Sequence, residues 1–208
     1  MKRKLMSAGL GACLLVLAIS PTVWGHTKNN LAVGVSLGEY TFGTKDDVRK
    51  LNPDMDEGTF AEVYLEAYPG NGHWGFGIRH VELYSETPDG LVQARAATNF
   101  MTAQLVLMGV DSPVRLVALA GYGETRYGLQ GFIGNEELAY GTSTMYGGYI
   151  HVGDVAYHLR LGANHIDSKL DKLVNGNQPD VTGGGTYYSL SLVMLLDFAR
   201  IMAQESRN

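Results

Sequence analysis

The run Gly185-Thr186-Tyr187-Tyr188-Ser189-Leu190-Ser191-Leu192-Val193-Met194-Leu195-Leu196-Asp197-Phe198 alternates along almost its whole length. Tyr188, Leu190, Leu192, Met194, Leu196 and Phe198 take every second position, with Tyr187, Ser189, Ser191, Val193, Leu195 and Asp197 between them. A period of two belongs to a β-strand, because successive side chains point to opposite faces.

Upstream the pattern repeats. Leu31, Val33, Val35 and Leu37 alternate with small residues. Ala61, Val63, Leu65 and Ala67 alternate with Glu62, Tyr64, Glu66 and Tyr68. Trp74, Phe76 and Ile78 alternate with Gly75, Gly77 and Arg79. Comparable runs start at Met101, Leu116 and Val155, and Met145–Val152 is a strand whose two faces look alike. Eight strands result, and most have room for the roughly 9–11 residues of a tilted membrane-crossing strand. Short turns are expected at Pro69–Gly72, Asp111–Pro113 and Gly153–Asp154, and long loops over 43–58, 85–90, 127–141 and 166–185. Pro53, Pro69, Pro88, Pro113 and Pro179 all fall in these connections, as a fully paired sheet requires.

The polarity of the two faces selects the kind of barrel. One face is apolar and uncharged at mid-strand. The other carries Glu62, Glu66, Arg79, Thr102, Gln104, Arg115, His158, Arg160, Ser189 and Ser191. Charged side chains are costly against hydrocarbon, so the polar face is the lumen and the apolar face meets lipid. Closure removes every unpaired strand edge, which lipid demands. The expected fold is therefore all-β, an eight-stranded antiparallel up-and-down transmembrane β-barrel. Trp74, Tyr157 and Phe198 fall at the short-turn end of the apolar face, and Tyr122 and Tyr188 at the long-loop end, which makes two interfacial girdles. A secreted soluble β-sandwich is the competing fold.

The rest of the chain fits an exported protein. Lys2, Arg3 and Lys4, the apolar run Leu10–Ile19 and Val23-Trp24-Gly25 read as a signal peptide over residues 1–25, with cleavage before His26. Lipidation at Cys13 is set against that residue's position inside the apolar run. The formal net charge is −5, and Lys2, Arg3 and Lys4 are the only charges among the first 25, so the remaining 183 residues carry −8. That balance excludes a nucleic-acid partner. The single cysteine, Cys13, excludes a disulfide framework. Residues 26–198 form the barrel and 199–208 a short periplasmic tail. No metal or cofactor is expected.

With this architecture the chain resembles the small eight-stranded outer-membrane proteins of the OmpA transmembrane-domain, OmpX and OmpW type. The resemblance covers about residues 30–198. The stretch Gly185–Phe198 is similar to that family's C-terminal assembly signal, although here Ala199–Asn208 follow the aromatic. The resemblance implies a bacterial outer-membrane location, a monomer, and partners in the barrel-assembly machinery, outer-membrane lipid and lipopolysaccharide, with a surface ligand for the loops.

An eight-stranded barrel encloses about enough space for its own side chains. Glu62 and Glu66 can reach Arg79 on the next strand, and Arg115, His158 and Arg160 add positive charge inside. A paired polar plug is the structural reading, and a narrow ion path is the functional one. Barrel enzymes that modify lipid A offer a third. His165, Asp167 and Ser168, or His80 in place of His165, are the candidates for a nucleophile and base, set against a plain polar loop. The remaining signals have bland accounts. Asp54, Asp56 and Glu57 read as a solvated acidic loop, and His26 and His73 lack metal-ligand spacing. Glu124 and Arg126 are rim charges, with Arg126 able to meet a phosphate. Gly183-Gly184-Gly185 precedes a strand and no lysine, which excludes a phosphate loop. The expected role is structural or surface-interacting: membrane integrity or adhesion.

Overall fold

A computed structural model describes residues 30–42, 57–69, 72–86, 92–109, 112–131, 134–153, 157–173 and 181–197. The proposed signal peptide, Cys13, His26, Asp54, Asp56, Phe198 and the tail 199–208 lie outside the described residues.

The strands are β1 (Asn30–Phe42), β2 (Glu57–Tyr68), β3 (Trp74–Glu86), β4 (Val92–Met108), β5 (Val114–Gly131), β6 (Gly134–Gly153), β7 (Tyr157–Leu173) and β8 (Val181–Asp197). They form one closed barrel in chain order. Every neighbour is antiparallel, and β1 closes on β8 in a register running from Asn30↔Asp197 to Phe42↔Gly185. The fold is thus an all-antiparallel, eight-stranded, up-and-down β-barrel. At the short-turn end, Gly72 and Gly109 have φ of 73° and 78°. This left-handed backbone is open to glycine at little cost, and it lets the Gly109 carbonyl accept from Ser112 N at 2.9 Å.

The exterior of the short-turn half is apolar. Met101 is 76% exposed, Leu37 69% and Ile78 60%, and Val35, Phe76, Leu105, Leu161 and Leu192 are exposed with them. A continuous belt of this kind far exceeds what a soluble monomer leaves in water. Its alternation with inward polar residues is that of a strand between hydrocarbon and a filled lumen.

The four long connections are shorter than the sequence pattern suggests. β5 runs to Gly131 and β6 restarts at Gly134, so most of 127–141 is sheet. β7 runs to Leu173 and β8 begins at Val181, so most of 166–185 is sheet as well. β2 begins at Glu57 and β3 reaches Glu86. The physical reason lies in the side chains. Beyond the belt the outward positions become polar: Glu124, Arg126, Thr142, Thr144, Asp167 and Lys169 are exposed. Tyr127, Ile166 and Leu170 point inward and are buried. The alternation continues with its polarity reversed, and register shifts at Tyr127/Gly128 and Tyr140/Thr142 blur it further.

Candidate functional site

The lumen of the belt half is built around two carboxylates on β2. Glu66 is fully buried. It accepts from Arg79 Nη2 at 2.6 Å, Arg160 Nη1 at 3.0 Å and Nη2 at 2.8 Å, Gln104 Nε2 at 3.2 Å and Tyr68 Oη at 3.0 Å. Glu62 accepts from Arg79 Nη1 at 2.6 Å, Ser36 Oγ at 2.7 Å and Tyr187 Oη at 3.2 Å. Both neighbouring residues on β2 face out, so Glu62, Tyr64 and Glu66 form one inward column. Arg79 lies on β3 directly opposite Tyr64, which lets its two Nη atoms fork between the carboxylates. Arg160 comes from β7, which is not a sheet neighbour of β2, and so spans the lumen.

Charge balance explains why this cluster tolerates burial. Two carboxylates meet two guanidinium groups, and a buried charge is sustainable only when paired and hydrogen-bonded. Aromatic faces complete the solvation. Arg160 lies 3.8 Å from the Tyr149 ring centroid and 4.6 Å from that of Tyr64, and Arg79 lies 4.7 Å from Tyr64. Closed ion pairs sandwiched by rings leave little for a permeating ion to bind.

On the long-loop side an apolar layer covers the cluster. Phe60, Phe100, Tyr40, Met145 and Ile166 are buried there, and the Phe60 and Tyr187 rings pack at 4.4 Å. Tyr187 joins the two levels, since its hydroxyl lies 3.2 Å from both Glu62 Oε1 and Met145 Sδ. At the short-turn end His158 stacks on His151 with centroids 4.2 Å apart. Arg115 sits opposite His151 in the β5–β6 register and is partly exposed. Arg115 and His158 therefore occupy the mouth, while Glu62, Glu66, Arg79 and Arg160 form the central knot.

The three catalytic candidates are split by the strand period. His165 and Asp167 face outward on β7, where His165 Nε2 lies 3.1 Å from Asp167 Oδ1. Ser168, one residue on, faces inward, with its Oγ 2.6 Å from Ser143 Oγ. It ends a row of hydroxyls in which Thr98 and Thr125 lie 2.7 Å apart and Thr125 contacts Ser143. His80 also faces out and contacts Asn99 Oδ1 at 2.7 Å. A serine nucleophile needs its base within hydrogen-bond reach, and here the sheet stands between Ser168 and both histidines. Trp74, Tyr157, Tyr122 and Tyr188 are 52–62% exposed on the outer face.

Several members of the site are harder to read in sequence. His151 sits in the strand whose faces look alike, with Tyr146-Gly147-Gly148-Tyr149 giving no polarity contrast. Tyr68, Tyr149 and Tyr187 look like ordinary strand aromatics. The only signal for them is their parity with Glu66, His151 and Ser189.

No protein-family model matches the chain. No curated protein matches it. Solved structures do. The crystal structure of Neisserial surface protein A superposes with a TM-score of 0.55 at 9% identity, covering 82% of this chain and 97% of that one. Ail of Yersinia pestis, solved with the heparin analogue sucrose octasulfate, gives 0.48 at 16% identity, covering 81% and 99%. The N-terminal β-barrel domain of Pseudomonas aeruginosa OprF gives 0.48 at 7%, covering 82% and 100%. These are small eight-stranded outer-membrane barrels. At 9% identity the likeness to Neisserial surface protein A speaks for the fold alone, and with its closed eight-stranded sheet the chain has the fold of the small eight-stranded outer-membrane β-barrels.

Proposed function

We propose that the protein is a monomeric outer-membrane barrel of a bacterium, exported by a cleaved signal peptide, with a structural or surface-contact role. The observation that carries this reading is the filled lumen. Glu66 closes the bore with Arg79 from one wall and Arg160 from the other, and the layer of Phe60, Phe100 and Ile166 seals it above. With the bore closed, the surface open to partners is the exterior wall and the long-loop rim. Outer-membrane lipid and lipopolysaccharide are the partners of the belt, and the barrel-assembly machinery is the partner during insertion. A nucleophile role for Ser168 has no support in its inward orientation.

The test is the state of the protein in cells and in a bilayer. The mature chain should fractionate with outer membranes, and an unboiled sample should migrate differently from a boiled one on a denaturing gel. Purified protein in a planar bilayer should show no steady conductance. A stable open channel would overturn the filled-lumen reading. Release by osmotic shock as a soluble protein would overturn the membrane reading.

A further inference from the structure

The outer face of β6, β7 and β8 carries a groove of about 400 Å³ just beyond the apolar belt, lined by Thr142, Thr144, Asp167, Lys169, Thr182 and Gly183. Gly184 faces outward opposite Asp167, and a Cβ there would fall 2.4 Å from the Ile166 carbonyl oxygen. The close approach of the strands requires glycine at this edge of the groove, so no side chain stands between Thr182 and Thr186 on the outer face of β8.

The groove presents both charge signs and several hydroxyls. Asp167 accepts from His165 Nε2–H at 3.1 Å. A carboxylate only accepts, so Nε2 carries a proton, and the Thr186 hydroxyl lies 3.0 Å from Nδ1. Tyr146, 53% exposed, packs on the His165 ring at 5.1 Å. One carboxylate, one ammonium and three threonine hydroxyls line the groove, and the exposed Tyr146 ring flanks it two positions from Thr144, a combination suited to sugars. Sugar hydroxyls donate to carboxylate and exchange hydrogen bonds with threonine, and the C–H face of a pyranose lies on an aromatic ring. A groove between β-strands with both charge signs is poorly suited to a bare anion or a metal ion.

Its depth selects the source of the sugar. Tyr122 lies beside Thr144 on β5, and Tyr188 lies beside Ala163 two positions below His165. Both are exposed, at the level where tyrosine marks a membrane interface. A glycolipid whose acyl chains lie against Leu161, Leu190 and Leu192 would carry its first sugars into the groove. We infer that this groove binds the saccharide of an outer-leaflet glycolipid. The inference rests on the outer-membrane reading above.

The test uses the refolded full-length mature protein in mild detergent. It is titrated with lipooligosaccharide bearing inner-core sugars, with lipid A, and with the core oligosaccharide released from its lipid, and binding is followed by the methyl NMR signals of Thr142, Thr144 and Thr182. Asp167→Asn removes the charged acceptor, and Thr144→Phe fills the groove. Lipooligosaccharide should bind the wild type and lose about ten-fold or more in affinity with either variant, which is the scale of one charge-assisted hydrogen bond. The boiled-against-unboiled mobility shift should persist in both. Free oligosaccharide that binds and is lost in the same variants would support a sugar site that needs no lipid anchor. Binding only of the anchored form would support the glycolipid as occupant. Lipooligosaccharide affinity unchanged in both variants, or equal to that of lipid A, would overturn the inference. Failure of the wild type to insert into liposomes would instead overturn the membrane reading.

Discussion

The two halves of the barrel wall obey opposite rules. Toward the short turns, Leu37, Ile78 and Met101 face out while Glu62, Glu66 and Arg79 face in. Toward the long loops, Glu124, Arg126, Asp167 and Lys169 face out while Tyr127, Ile166 and Leu170 face in. The sheet, its register and its period are continuous between them. On the outer-membrane reading only the solvent outside changes, from hydrocarbon to water, and each half places its charges away from the less polar side. The lower half must solvate its own inward charges, which is why Glu66 has five hydrogen bonds from four residues. The upper half packs Tyr127, Ile166 and Leu170 inward beside the hydroxyl row of Thr98, Thr125, Ser143 and Ser168.

The largest break in this contrast should come from Glu66→Gln. Arg79 and Arg160 would lose their shared carboxylate while buried, a loss of about 3–5 kcal/mol. The check is the urea midpoint of the unboiled-to-boiled transition in lipid vesicles. One identical substitution in the two halves sharpens the contrast. Met101→Arg, facing hydrocarbon, should destabilise by about 2–4 kcal/mol. Thr142→Arg, facing water, should stay within about 0.5 kcal/mol. Equal effects in the same unfolding assay would mean that the apolar belt is not lipid-facing. The smallest effect is expected of Ser168→Ala. It removes the end of the hydroxyl row and should cost about 1 kcal/mol. Lipid A mass spectra from cells expressing wild type or variant should be the same, and an acyl-chain change dependent on Ser168 would contradict its inward placement.

The eight strands, their parity and the inward placement of Glu62, Glu66, Arg79, Arg115, His158 and Arg160 are legible in the sequence. Each follows from counting by two from an apolar neighbour on the same strand. Arg79 was readable as a partner for both carboxylates, because β2 and β3 are consecutive and joined by a short turn. Arg160 as the second ligand of Glu66 was not. The two are 94 residues apart and meet only because the sheet closes, which brings β7 across the bore from β2. The polar ends of β5, β6 and β7 read as loops in the sequence, because polar residues in a connection and polar residues on a water-facing strand have the same composition.

His165, Asp167 and Ser168 illustrate the same limit at short range. Their adjacency in sequence suggests a shared site, yet the strand period sends the serine through the wall. The local chain thus sets which residues alternate and which share a face, since the pleat has a fixed period. Closure sets which faces meet, how deep each residue sits and which solvent it touches. Those depend on the curvature, tilt and register of all eight strands together, and no single segment encodes them.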